Sequence, residues 1–428
     1  MSPEVTAAII AASVSGLTLI GTLAAQYFGR RATSRDTQQA LEEQRKQLDK
    51  TLAEQRTRTL NERFATAAEQ LGSDKPAVRL AGVYAMAGLA DDWEENRQTC
   101  VDVLCAYLRM PYEPDPGQDA PAPLRLAFQA IREVRHTVIR VITAHLRKDA
   151  AASWCGEDLD FTGVIFDGCD FSGAQFSGGT VSFSDAQFSS GRVDFGGAVF
   201  SGSTVSFSGA RFSGGLVYFG GAVFSGGTVG FSHAQFSDGT VAFLRAGFSG
   251  GTVDFSGAAF SGGTVYFGSA VFSGGRVDFD APFPEAPSDF AAVFSGGRVA
   301  FSGAAFSGGT VAFGRARFSG STVDFSAARF SGGTIDFGAE LSIVPFYVGA
   351  MFSGGVIAFS GAVFSGGTVA FGRARFSGST VDFSRAVFSG GIVNFSDVGD
   401  WSSPPAFSWT GTPPSGVKLP SKEDQSRA

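Results

Sequence analysis

Cysteine is scarce in this 428-residue chain, limited to Cys100, Cys105, Cys155 and Cys169. No pair has the C-x-x-C spacing of a zinc or redox site, and four thiols in so long a chain make no disulfide framework. Free thiols in a reducing compartment are the expectation. Histidine is scarcer, with three residues. His136 and His145 lie nine apart on one helical stretch, whereas ligand pairs on a helix need spacing near four. They read as surface or boundary residues, and His233 as an outward residue of a repeat. Serine is abundant but has no His or Asp partner at any distinctive position. The Ser-Gly-Gly runs lack the Lys and helix of a phosphate loop. No catalytic constellation, metal or cofactor is therefore expected. Positive charge is also lacking: the net charge is −7, and no basic stripe marks a general nucleic-acid binder.

Charge is absent altogether from Val5 to Phe28. Spanning a bilayer takes about 20 apolar residues, and this run is long enough. Arg30, Arg31 and Arg35 follow at once, which would place that end, and the bulk of the chain, at the cytoplasmic face. A secretory signal is the rival, but the basic n-region and short apolar core are missing. The reading is a single-pass anchor over 5–28, after a short tip at 1–4. Small residues recur four apart at Ala8, Ala12 and Gly16, a spacing compatible with self-association.

Thr37 to Leu71 holds no Gly or Pro and reads as a helical stalk within 29–72. Leu41, Leu48 and Leu52 begin an apolar seam that Gln55 ends, too short for a sustained coiled coil. Gly72 to Pro76 breaks the helix, with Ser73 or Asp74 as N-cap. A small α-helical domain follows over 73–150. Its last helix, Leu124 to Lys148, carries Arg125, Arg132, Arg135, Arg140, Arg147 and Lys148. That basic face is either solvated or turned to anionic lipid.

What the chain has in excess is Gly, 58 residues, and Phe, 44 residues. Such bias directs attention to repeats. Phe161, Phe166, Phe171 and Phe176 are spaced by five; the spacing then alternates seven and five through Phe183, Phe188, Phe195 and onward to Phe395. Two residues before each Phe stands Val, Ala or another small apolar residue, which is the strand period. The opening blocks, Asp160-Phe-Thr-Gly-Val, Ile165-Phe-Asp-Gly-Cys and Asp170-Phe-Ser-Gly-Ala, resemble the pentapeptide-repeat family. That resemblance implies a right-handed, quadrilateral β-helix over 158–395. The seven-residue spacing reads as a two-residue expansion at every second corner, so that four sides, two spacings of five and two of seven, make one coil. A flattened, two-sided coil of half that length is the rival, and it would overfill a thin interior. Together with the segments Glu69 to Lys75 and Ala77 to Leu80, the layout resembles membrane-anchored pentapeptide-repeat proteins of actinobacteria.

The repeat is interrupted twice, near 280–291 and 338–349, each time by ten residues. Either these are paired loops on one edge, or each adds two irregular sides. Loops on a rigid scaffold are where binding concentrates. Pro282, Phe283, Pro284 and Glu285 in the first, and Leu341, Ile343, Phe346 and Tyr347 in the second, are the candidate partner contacts.

Outward positions form columns of Thr, Asp and Arg. Some pentapeptide-repeat proteins resemble duplex DNA and bind DNA gyrase, a role that needs a dense acidic surface. Here Arg211, Arg317, Arg329 and Arg375 interrupt the acids. Thr columns also invite comparison with ice-binding solenoids, which need a broad flat Thr array. Past Asn394 the pattern ends. Trp401, Phe407 and Trp409 are expected to cover the last coil, with a disordered tail from about Thr412 and the helix ending near Lys148 covering the other end. The leading expectation is a non-enzymatic, membrane-held scaffold with an unidentified protein partner. A DNA-mimicking gyrase binder is the alternative.

Overall fold

The computed structural model describes residues 3–113, 115–279, 291–338 and 349–421; the side chains of 3–15, 17–18 and 28–39 fall outside that description. The chain divides into two compact units, Met1–Ala65 and Thr66–Ala428.

The first unit is a single element, helix α1 (Pro3–Leu71), whose last residues belong to the second unit. Most of the expected span, Val5 to Phe28, lies outside the described side chains. Among the described residues no helix is long and apolar enough to cross a membrane. A coiled coil is likewise not supported: Leu41, Leu48 and Leu52 are all exposed. The seam is too short to make a partner helix obligatory.

Three helices open the second unit: α2 (Pro76–Asp92), α3 (Arg97–Arg109) and α4 (Ala122–His145), with one 3-10 turn at Glu94–Asn96. The expected cap at Ser73 or Asp74 is displaced to Lys75, which makes no side-chain cap bond. Ser73 Oγ instead accepts from the Lys75 amide at 3.2 Å. α2 packs closely on the end of α1 because Gly82 lacks a side chain. A Cβ there would come within 2.7 Å of the Leu71 amide nitrogen. Val83, Met86, Leu89, Leu104, Val138 and Ile142 are fully buried and form the helical core.

From Leu159 the chain becomes a parallel β-solenoid. Among the described residues its short strands make two parallel sheets, of 16 and 15 strands. The register fixes the coil: Phe212 pairs with Phe236 and Phe236 with Phe260, so each Phe meets the fourth Phe after it. That register is the four-sided coil, and it excludes the two-sided one. Each coil sends four Phe rings inward, and like rings stack along the axis. Phe183, Phe207, Phe231, Phe255 and Phe279 form one such column, with centroids 4.7–4.8 Å apart. Columns through Phe188, Phe195 and Phe200 run beside it. Opposed columns meet edge to face, as Phe183 does Phe195 at 87°. Burying each ring contributes roughly 1.5–3 kcal/mol, and ring geometry about 0.5–1.5 more. Val205 and Ala210 fill the space between rings and are fully buried, as are Val229, Ala234, Val253 and Ala258 in the next coils to within 2%.

Two kinds of corner close each coil. The tighter one follows Phe and is held by bonds such as Ala186 N to Phe183 O at 3.1 Å. The wider one carries Gly-Gly. Gly251 sits at φ +69°, and a Cβ there would lie 2.5 Å from the Gly227 carbonyl oxygen of the preceding coil.

The chain does not end its ladders at Asn394. Phe407 stacks on Phe383, and Val417 pairs with Val393, again one coil on. The expectation of disorder from Thr412 is therefore corrected as far as Ser421, where the described residues stop. Val417 is buried because it falls in the inward register, despite the Pro-rich sequence around it. Trp401 and Trp409 pack edge-on against Phe395 and Phe388 at this end.

Candidate functional site

The candidate contacts Pro282, Phe283, Pro284, Glu285, Leu341, Ile343, Phe346 and Tyr347 lie outside the described residues. The residues flanking them do define where each insertion leaves the rod. Phe260 pairs with Phe294 and Phe318 with Phe352, so the longer spacing in sequence is absorbed while the ladder stays in register. Ala292 N bonds Phe279 O at 2.9 Å, and Ala350 N bonds Phe337 O at 2.9 Å. These match the ordinary corner bond of Ala258 N to Phe255 O at 3.0 Å. Each insertion therefore leaves and returns at one tight corner and adds no side to the coil. Phe279, Phe313 and Phe337 belong to one column. Both departures thus share an edge, two coils or about 10 Å apart. Gly349 fits the return of the second: its amide donates to Arg373 O at 3.1 Å, and a Cβ would sit 2.5 Å from the Gly372 oxygen.

The outward acids have a local task. Asp194, Asp254, Asp324, Asp336 and Asp382 each accept a bond from the amide two residues on, at 2.7–2.9 Å. This is the Asx turn, which pins the chain as it enters the tight corner. Two of these carboxylates also pair with Arg, Asp194 with Arg192 at 2.7 Å and Asp324 with Arg298, as does the outward Asp278 with Arg276 at 2.7 Å. Burial alone would raise the Asp324 pKa, but bonds from Ser326 and Ser302 and the nearby Arg298 hold it below the ordinary value. A column engaged in this way is not a free acidic surface. The Thr column is broken too, since Arg276 stands between Thr252 and Thr310 in the ladder.

The best-defined polar cluster in the described residues is at the first coil. A solenoid end exposes strand groups that need partners. Here all four sides of the first coil receive them from the residues just before it. Gln98 exchanges two bonds with the Asp158 backbone, at 2.9 and 2.7 Å. Arg109 donates to Asp160 O at 2.7 Å and Arg135 to Ile165 O at 3.0 Å. Arg132 donates to Asp167 O at 3.0 Å and Thr143 to Asp170 O at 2.9 Å. The Gln175 amide donates to Leu146 O at 2.7 Å.

Asp167 is the hub of this cluster. Its carboxylate accepts from Tyr112 at 2.7 Å, Arg132 at 2.9 Å and faces His136 Nε2 at 2.9 Å. Burial would raise its pKa, yet the bonds from His136 and Tyr112 bring it down to about 2. Arg135 is 4% exposed, donates to Leu108 O at 2.6 Å and lies over the Tyr112 ring at 4.2 Å. His145 faces Asp91 at 3.2 Å and stacks on Trp154, centroids 4.0 Å apart. His136 and His145 are part-exposed boundary residues, as expected, and each also reaches a carboxylate far away in sequence, Asp167 and Asp91. One expectation is corrected. The basic face of α4 is not uniformly solvated or lipid-facing, because Arg132 and Arg135 turn to the coil. Spacing within α4 could not show this; the signal was a basic helix placed immediately before an open strand edge.

A cleft of about 570 Å3 lies beside the hub, lined among others by Arg132, His136, Arg140, Asp167, Arg192 and Asp194. Within it Arg132 pairs with Asp167 and Arg192 with Asp194. Among the described residues no group of three or more His, Cys, Asp or Glu is placed to hold a metal ion. Burial pushes the thiols of Cys100 and Cys105 up to about 11 and about 12, which makes both poor nucleophiles.

Residues 161–211 match the family model of pentapeptide repeats (9 copies). The chain carries pentapeptide repeats. Their four-column coil then extends in the structure well beyond the matched residues. No curated protein and no solved structure matches the chain.

Proposed function

We propose that this pentapeptide-repeat solenoid is a non-enzymatic scaffold that presents its two insertions, side by side, to a protein partner. The observation that carries the reading is the preserved register across both insertions, which makes one edge of a stiff rod the departure point for both. Rigid spacing lets two loops engage one partner at once, so their contributions combine. The apolar content of Leu341, Ile343, Phe346 and Tyr347, and the prolines of the first insertion, suit a protein contact. The proposal includes anchoring by Val5 to Phe28 with the rod on the cytoplasmic side, supported by the uncharged run and the three arginines after it.

The test is a comparison of the intact chain with chains lacking 280–289, 339–348 or both, by crosslinking at the membrane of the producing cells. A single crosslinked species lost in the double deletion and weakened in each single one supports the reading. An unchanged crosslinking pattern contradicts it. Flotation with vesicles of the intact chain, set against a chain beginning at 29, tests the anchor. Inhibition of gyrase supercoiling by the repeat segment would instead favour DNA mimicry, which the Asx-bonded and Arg-paired acids argue against.

A further inference from the structure

The first turns of α4 present an apolar face that the fold leaves uncovered. Leu124 is 58% exposed, and Ile131 is exposed as well. Leu124, Phe128 and Ile131 are spaced i, i+4, i+7, so they form one continuous ridge. Opposite this ridge the loop after α3 folds back, and its Tyr112 ring stacks on Phe128 with centroids 5.7 Å apart. Between the two lies a groove of about 460 Å3, lined by Pro111, Tyr112, Pro116, Leu124, Phe128 and Ile131 among others.

The groove mouth is acidic. Glu113 and Asp115 both line it. Among the described residues Glu113 has no ion-pair partner and Asp115 accepts only from the Gly117 amide, at 2.9 Å. Two basic groups of α4 are engaged elsewhere: Arg132 is held by Asp167, and Arg140 by Glu133 at 3.0 Å. An apolar ridge of helical spacing beside unpaired carboxylates is complementary to an apolar helix with basic flanks.

We propose that this groove binds an amphipathic helix of a partner protein, apolar on the face that meets Leu124, Phe128 and Ile131 and carrying Lys or Arg toward Glu113 and Asp115. Helix-in-groove recognition reads anchors at i, i+3 or i+4, and i+7, the spacing the ridge provides. The acids contribute selectivity by rejecting an acidic helix. An anionic membrane surface is disfavoured by the same acids. The site is separate from the two insertions and does not depend on them.

The test uses two labelled synthetic amphipathic helices of four turns with identical Leu and Ile positions, one with Lys on its flanks and one with Glu. Binding to the full chain is followed by fluorescence anisotropy. The Lys helix is expected to bind saturably and at least about tenfold more tightly than the Glu helix. Leu124→Glu, at an exposed position where folding is not at stake, abolishes that binding, and Glu113→Lys reverses the preference. The chain lacking both insertions binds the Lys helix as the intact chain does. Equal binding of the two helices, no binding of either, or binding indifferent to Leu124→Glu overturns the proposal. So does capture by phosphatidylcholine vesicles that is lost in Leu124→Glu while neither helix binds, an outcome that assigns the face to lipid.

Discussion

Arg135 Nη2 donates to the carbonyl of Ile165 at 3.0 Å, joining the middle of α4 to the second side of the first coil. The same guanidinium satisfies Leu108 O from Nη1, so one planar fork closes the end of α3 and the end of the sheet together. Burial lowers the Arg135 pKa, which shows that its charge is held at a desolvation cost. Arg135→Met removes the charge and leaves two carbonyls unpaired. The expected loss is about 3 kcal/mol, from roughly 1–3 kcal/mol per unsatisfied group. Urea unfolding followed at the α-helical signal checks it, and Arg135→Lys should recover only part, having no fork.

Acid sensitivity should trace to Asp167. Its folded pKa of about 2 lies below the reference 3.8. A depressed carboxylate contributes stability that is fully present above the unfolded pKa and is lost as pH falls through the folded one. The window is therefore about pH 4 down to 2, and the amount about 2 kcal/mol. Asp167→Asn should flatten stability across that window, measured as thermal midpoints at a series of pH values. An unchanged acid limb would show that the hub bonds carry no weight.

Two glycines separate backbone strain from collision. Gly361 has φ +68° with nothing within 4 Å of a would-be Cβ, so Gly361→Ala meets only left-handed strain, about 1 kcal/mol. Gly251 has nearly the same φ but faces the Gly227 oxygen at 2.5 Å, so Gly251→Ala must also push two coils apart. The second variant should lower the thermal midpoint clearly more than the first. Equal effects would mean that adjacent coils do not approach so closely.

Phe255 tests the axis itself. It is fully buried and stacks on Phe231 at 4.8 Å and Phe279 at 4.7 Å. Phe255→Ala should cost about 3–5 kcal/mol, and Phe255→Asp more, because a carboxylate has no partner there. Calorimetry of both variants against the parent chain is the check.

The solenoid was readable because its inward positions carry one residue type at fixed spacing: Phe207 and Phe231 stand four sides apart in sequence and stack in space. The same arithmetic allowed both insertions one edge but left open that each adds two irregular sides, which only the register of the flanking strands decides. Val417 was missed because a single inward residue amid Pro and Gly has no neighbours to set a period. The helix was expected to cover the first coil, but the residues that make the contact were missed for a different reason. Arg132, Arg135 and His136 read as an ordinary basic helix face, and their partners, Ile165 and Asp167, read as ordinary repeat residues. Only the join between the two reveals the function of either, and no periodicity spans a join. The Asx-turn role of Asp254 and its column was likewise hidden, since an outward acid looks the same whether it binds solvent or its own corner.

The most direct measurement is a distance along the rod. Thr204 and Thr368 occupy one outward column, linked through Thr228, Thr252, Arg276, Thr310 and Thr334 in successive register pairs. Six steps of ~4.8 Å place them roughly 29 Å apart. Spin labels at these two sites, in a chain whose native cysteines are replaced, should give one narrow distance near that value by pulsed electron resonance. A broad distribution, or a distance near twice as long, would contradict the stacked four-column coil.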